Sequence, residues 1–457
     1  MKQVDILLMA RWVLPIAPQN IVLEDHAVAI LDGRIIDVLP QSKATAQYEA
    51  AKLVELKEHV VMPGLINAHA HTPMNLFRGL ADDLELMDWL NNHIWPAEKA
   101  LINEKSVEVG SRLAIAEMLR GGVTCFNDNY FFPDVTARVA IEEGIRASLG
   151  CVVMSVPTEW ASDEAGYFAK ARQTLENQSG NPLINWTVCP HAPYTVSDDS
   201  LKKVKALSDE FNIPIHMHMH ETQFEIDSGI EQYGKRPFQR VYDLGLYSPR
   251  FMHVHVTQLT DQEIQIIADT GSHVVHCPES NLKLASGFAP IAKIVDKGIN
   301  VAIGTDGAAS NNDLDMFGEL RLASLLAKAV SGNPTTLSAT KVLEMATING
   351  AKALGIDHEV GSLEKGKAAD IIAIDLSSYL TQPVYNPISH LAYCVNRLQV
   401  SDVWIAGKHL LVQGRFAHLD TQRLREQAHY WAEKAQPFSS SASKMKSNEE
   451  TSMAQTN

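Results

Sequence analysis

Basic residues are in deficit: 39 lysines and arginines face 54 aspartates and glutamates, a formal net charge of −15. A surface of that sign repels polyanions, which excludes nucleic-acid polymers as partners. Cysteine is scarce too. The five cysteines (Cys125, Cys151, Cys189, Cys277 and Cys394) are scattered, odd in number and form no Cys-x-x-Cys pair. That pattern speaks against a disulfide framework or a structural zinc knuckle. No run approaches the ~18 to 20 uninterrupted apolar residues of a membrane span, so no membrane partner is expected. The opening MKQVDILLMARWVLPI breaks its apolar run at Arg11 and lacks a small-residue cleavage site, which makes it a poor signal peptide. A cytoplasmic location is the simplest expectation.

What the chain does have is length, 457 residues at 46% hydrophobic, enough for one barrel-sized domain and something smaller. The first 60 residues alternate short β-rich runs with turn signals, among them HAVAILDGRIIDVLP with an Asp32-Gly33 turn. They predict a small antiparallel sheet that cannot bury itself alone. From residue 62 the texture becomes strand then helix, repeatedly. Strand candidates end near His69, Asn127, Gly150, His191, His218, His255, His276 and Asp306. Eight such repeats predict an α/β fold, a (β/α)₈ TIM barrel with its active site at the carboxyl ends of the strands. Beyond the barrel, GSLEKGKAADIIAIDL and VSDVWIAGKHLLVQGRF read as strands again. The expected organisation is therefore a discontinuous small β-sandwich domain built from residues 1–61 and 357–420, flanking a catalytic barrel at 62–356. A C-terminal helix at 421–436 and a polar, disordered tail at 437–457 complete the chain.

The stretch MPGLINAHAHTPMN, residues 62–75, ends its apolar run in two histidines one residue apart. In a strand, i and i+2 share a face, so His69 and His71 point together beyond the strand's end. Paired imidazoles of that kind are metal ligands when other strands supply the rest. They do: histidines fall at the ends of the fifth and sixth strands (His255 on the sixth) and Asp306 ends the eighth. The fifth strand offers His216, His218 and His220 on one face, and spacing does not choose among them. Glu221 is on the opposite parity unless the strand has ended, which would let its carboxylate swing in from the following loop. A carboxylate beside a metal-bound water is what acid/base chemistry needs.

Together, PGLINAHAH, HMHET at 218–222, His255, HCPESNLKLASG at 276–287 and GTDGAASNNDLDMF at 304–317 resemble the amidohydrolase superfamily. Within it they resemble the methylthioadenosine/S-adenosylhomocysteine deaminases and their triazine chlorohydrolase relatives. The resemblance implies His69, His71, His218 and Asp306 as metal ligands, with His255 close to the metal-bound water and Glu221 as proton shuttle. Binuclear relatives carry a lysine after the fourth strand. Here Cys189-Pro190-His191 stands there, so one divalent metal per chain is implied, zinc first and iron second. His191 becomes a substrate contact. The segment DWLNNHIWPAEKA resembles the family's lid, which places Glu98 at the ribose hydroxyls, with Trp95, Met74 and Leu76 as candidates for an apolar wall. Where some relatives have an arginine near the third strand's end, this chain has Cys151, and Arg146 lies earlier in the strand.

The implied reaction is hydrolytic deamination at C6 of an adenine nucleoside, 5′-methylthioadenosine, S-adenosylhomocysteine or adenosine. Asp306 would take a proton from the attacking water and Glu221 would protonate the ring nitrogen, so both also contact substrate. The alternatives are deamination of another aminated heterocycle (guanine, a pterin, 5′-deoxyadenosine) or dechlorination of a triazine. A non-enzymatic barrel would be signalled by a missing ligand or acid/base group, and all are present. A small-molecule purine nucleoside partner and a homo-oligomeric state are expected.

Overall fold

The computed structural model describes residues 1–19, 21–177 and 180–440. Its N-terminal strands are β1 (Lys2–Val13), β2 (Leu23–Leu31), β3 (Arg34–Pro40) and β4 (Tyr48–Pro63). Asp32 and Gly33 both hold positive φ, 50° and 73°, as the tight turn joining β2 to β3 requires. The expectation of a purely antiparallel sheet fails at β4, which pairs with β1 in parallel. The helix Gln41–Gln47 supplies the crossover that a parallel neighbour needs.

The barrel follows as β5 (Leu65–Ala70), β6 (Val123–Asp128), β7 (Arg146–Val153), β8 (Ile184–Pro190), β9 (Ile215–Met219), β10 (Phe251–His255), β11 (His273–His276) and β12 (Val301–Ile303). These eight strands pair in parallel in chain order. Helices cover them, so they read as buried runs rather than as alternating ones. A parallel bridge from Ala70 to Asp306, with the Asp306 N–H donating to the His69 carbonyl at 3.0 Å, draws the last strand's end against the first. The longest cover helix, Glu104–Arg120, shows why such segments are helical. Asn103 caps it in a reciprocal pair with Ser106, Val107, Ile115, Met118 and Leu119 lie on its buried face, and Gly121 ends it.

The chain then returns to the first sheet through β13 (Ile371–Asp375), β14 (Val400–Ile405), β15 (Lys408–Val412) and β16 (Arg415–Phe416). All eight flanking strands form one mixed sheet, ordered β16-β15-β14-β13-β4-β1-β2-β3. It curls until its far edge meets its middle: Ile35 N–H donates to the Lys367 carbonyl at 2.9 Å and Ala369 N–H to that of Gly33 at 2.9 Å. Ile6, Leu8, Val28, Ile30, Ile371 and Trp404 fill the space between. The sandwich expected from the sequence is thus a single sheet folded over its own core. It is tied to the barrel by Arg146, whose Nε lies 2.8 Å from Asp370 with both side chains buried.

The C-terminal helix spans Thr421–Ala435 and runs into a 3₁₀ turn at Gln436–Phe438. Residues 437–440, expected to begin a disordered tail, are packed instead. Phe438 accepts from His93 Nδ1 at 2.8 Å, and Ser440 N–H donates to the Leu80 carbonyl at 3.1 Å. Residues 441–457 lie outside the described residues. No helix among the described residues is long and apolar enough to cross a membrane.

Candidate metal centre and active site

His69 is the penultimate residue of β5, His71 follows the strand, His218 is penultimate in β9 and His255 closes β10. Strand parity therefore aims all four imidazoles across the barrel's mouth. Ring centroids lie 4.7 Å from His69 to His71, 5.0 Å to His218 and 5.7 Å to His255. Asp306, held left-handed at φ 64° just after β12, brings Oδ1 to 3.2 Å from both His69 Nε2 and His71 Nε2. Gly304 permits this approach, since a Cβ there would fall 2.7 Å from the His69 backbone nitrogen.

A layer behind these rings fixes which nitrogen faces inward. Nδ1 of His71 donates to the Asn129 carbonyl at 2.6 Å, and Nδ1 of His218 to the His191 carbonyl at 2.7 Å. A carbonyl only accepts, so these rings carry their proton outside and present a lone pair at Nε2. His255 Nδ1 meets Asn281 Oδ1 at 2.9 Å, and His69 Nδ1 meets His216 Nε2 at 3.0 Å. His69 Nε2 is buried and makes no hydrogen bond. Burial lowers the His69 pKa to about 4 and holds His218 well below its usual range, which keeps both neutral. Burial works against the Asp306 carboxylate, yet the close approach of His69 and His71 outweighs it and holds its pKa well below the usual value. His71 moves the other way: burial lowers its pKa, but the Asp306 carboxylate outweighs that and raises it. Nitrogen lone pairs converging with one ionised carboxylate are a donor set that fits zinc.

Glu221 reaches the same space because β9 stops at Met219 and His220 turns left-handed at φ 52°. The turn cancels the parity that would have aimed Glu221 outward. Its carboxylate stands 3.9 Å from His255 Nε2, and burial raises its pKa. Its backbone N–H donates to Glu225 at 2.9 Å, and Thr257 Oγ1 donates to its carbonyl at 2.6 Å. His216 and His220 stand behind the site; His220 Nε2 accepts from Phe238 N–H at 3.0 Å.

These groups floor a cavity of about 490 Å³. His71, His218, Glu221, His255 and Asp306 line its depth, with His191 and Glu98 on the walls. Burial, then the nearby His71 and His69, lower the His191 pKa to about 3, so it faces the cavity as a neutral imidazole. Met74 and Trp95 line the wall, while Leu76 packs in the apolar cluster behind. Cys151 is buried off the cavity, and Arg146 sits at the opposite end of β7. Sequence reasoning overlooked Ser280 and Ser310, which donate to Asp306 Oδ2 at 2.7 and 3.1 Å, and Tyr130, which donates to Glu98 at 2.5 Å. Ser280 and Asn281 lie within HCPESN, so that motif is the sequence signal for them.

Residues 60–410 match the sequence profile of the amidohydrolase family. The chain is 46% identical over 432 residues to a 5-methylthioadenosine/S-adenosylhomocysteine deaminase of Saccharophagus degradans, covering 94% of this chain and 97% of that one. It is 40% identical over 433 residues to a 5′-deoxyadenosine deaminase of Methanosarcina acetivorans, covering 94% and 98%. Among solved structures, a zinc-bound adenosine deaminase from Xanthomonas campestris superposes with a TM-score of 0.94 at 49% identity, covering 95% of this chain and 99% of that one. A zinc-complexed atrazine chlorohydrolase from Arthrobacter aurescens, 23% identical, shares the fold at a TM-score of 0.87 over 93% of this chain and 100% of that one.

Proposed function

The chain belongs to the amidohydrolase family, and on that premise we propose that it is a metal-dependent hydrolytic deaminase of adenine nucleosides. It replaces the 6-amino group by oxygen and releases ammonia. The observation that carries this reading is one cavity holding the inward-facing imidazoles and Asp306 at its floor, the Glu221 carboxyl beside them, and Glu98 on its wall.

His69, His71, His218 and Asp306 would hold one divalent ion, zinc, which when bound makes a water nucleophilic near neutral pH. Asp306 accepts the proton of the attacking water, with Ser280 and Ser310 orienting its second oxygen. His255, braced by Asn281, orients that water. Glu221, whose pKa burial raises, delivers a proton to the ring nitrogen beside C6 as oxygen adds there. The proton that Asp306 has taken up then goes to the amino group, which leaves as ammonia while the C6 hydroxyl returns its proton to Glu221 and becomes the carbonyl. His191 contacts the purine edge and Glu98 the ribose hydroxyls. The cavity wall supports an apolar 5′ substituent, with Leu86, Trp89, Leu90, Ile94 and Met154 exposed to it and Lys99 the one lysine or arginine among the described lining residues. 5′-Methylthioadenosine is therefore proposed ahead of S-adenosylhomocysteine, whose carboxylate tail finds no arginine among the described lining residues. The substrates are free small molecules, and a homo-oligomeric state is part of the proposal.

Ammonia release by the zinc-loaded protein, measured against 5′-methylthioadenosine, S-adenosylhomocysteine, adenosine, 5′-deoxyadenosine and guanine, tests the reading. Turnover of the nucleosides with 5′-methylthioadenosine first is expected. Release from guanine alone, or from none of the five, would overturn it.

A further inference from the structure

Glu98 enters the cavity from the helix Trp95–Leu101, and its carboxylate receives a hydrogen bond from the Tyr130 hydroxyl, 2.5 Å from Oε1. Tyr130 is not a surface side chain that meets the glutamate in passing. It is 5% exposed, and its ring is held between His71 at 6.3 Å and Phe131 at 5.1 Å between centroids. Its neighbour Asn129 supplies the carbonyl that receives the His71 Nδ1 proton. Two consecutive residues after β6 thus hold a side chain at the floor of the cavity and another on its wall.

A carboxylate offers two oxygens and about four lone-pair sites. Tyr130 engages Oε1, which leaves Oε2 for a ligand. Glutamate has rotamer freedom that a lone contact with a ligand would have to freeze, and an anchored carboxylate has already lost it. We propose that Tyr130 is a positioning residue for ribose recognition: its hydroxyl fixes the Glu98 carboxylate so that the free oxygen meets the vicinal 2′- and 3′-hydroxyls of the nucleoside. The inference rests on Glu98 as the ribose contact, and it adds the residue that orients that contact.

The competing role for Tyr130 is packing alone, since its ring belongs to the apolar cluster with Met74, Trp89 and Ile94. Tyr130→Phe keeps the ring and removes only the hydroxyl. Adenosine and 2′,3′-dideoxyadenosine share a base and a 5′ group and differ in the hydroxyls at issue. Steady-state kinetics on this pair, with bound zinc quantified, should be run for wild type, Tyr130→Phe, Glu98→Ala and the double variant. Tyr130→Phe should raise KM for adenosine about tenfold, the usual effect of losing one hydrogen bond to a charged group, with kcat and zinc content little changed. For the dideoxynucleoside it should match wild type, and the double variant should be no worse than Glu98→Ala. An unchanged KM for adenosine in Tyr130→Phe, beside a raised one in Glu98→Ala, would overturn the positioning role alone. An equal loss on both nucleosides in Tyr130→Phe would do the same by reducing the residue to packing. A Glu98→Ala variant that treats both nucleosides as wild type does would overturn the ribose contact itself.

Discussion

His69 owes its inward lone pair to a histidine that does not line the cavity. For Nε2 to be a ligand, Nδ1 must donate, and its acceptor is His216 Nε2 at 3.0 Å. His216 then carries its own proton on Nδ1, 3.5 Å from Cys189 Sγ, and burial holds its pKa far enough down to keep it neutral. The thiol beneath it is pushed up to about 12 by burial and stays protonated. His216→Phe should therefore weaken zinc binding 10- to 100-fold, as loss of a partner behind a ligand does, read by competition with a chelator in the absence of substrate. An unchanged zinc affinity would show that His69 needs no such partner. At this scale the sequence was legible for which side chains converge, and it left His216 and His220 as packing or supporting histidines without saying what each one holds. The i, i+2 spacing exposed His69 and His71, but nothing in the order of residues tells that Cys189 on β8 and His216 on β9 form a chain under them.

At the scale of elements, the positions that aim the chemistry are strand ends in left-handed backbone: His220 at φ 52°, His255 at 73° and Asp306 at 64°. Such conformations cost of order 1–3 kcal/mol outside glycine and persist where the surroundings over-determine them. Strand order and strand ends were readable because each βα unit repeats a local pattern. The parallel pairing of β1 with β4, and the folding of one sheet on itself, were not, because they join residues remote in sequence. The same holds for the C-terminal turn. Polar composition placed residues 437–440 in a tail, yet Phe438 packs in the cluster with Leu80, Trp89 and Ile94 and accepts from His93. Those residues back the segment that carries Glu98. Ending the chain after Ala435 should raise KM for the nucleoside several-fold and leave bound zinc unchanged, whereas ending it after Ser440 should alter neither. Equal kinetics for the two truncations would contradict a supporting role for the turn.

For the whole molecule, burial of ionisable groups sets how stability depends on pH. His191, His220 and His276 are lowered to about 3 by burial, so between about 3 and about 6.5 the unfolded chain binds protons the folded one refuses, and stability rises with pH. Burial raises Glu98 to about 7 and Glu225 to about 8, so the folded chain keeps protons that unfolded carboxyls release above about 4.3, and stability falls as pH rises to those values. Among the described residues the histidines that burial lowers outnumber the carboxyls that it raises, Asp128 and Glu279 included. Above about 6.5 only the raised carboxyls and His71 act, all in the falling direction. Urea unfolding midpoints should peak between about pH 6.5 and 7, and a midpoint that climbs steadily to about pH 8.5 would refute this balance. The central claim is that this fold brings a metal-ligand cluster and Glu221 together on an adenine nucleoside, and one side-by-side measurement tests it. Ammonia and the adenine absorbance change are followed on 5′-methylthioadenosine for wild type and Glu221→Gln, with zinc quantified in both. The account predicts one ammonia per nucleoside converted by wild type, and for the variant equal zinc with turnover reduced at least 10²-fold, the usual scale for loss of a general acid. Undiminished deamination by the zinc-loaded variant would contradict it.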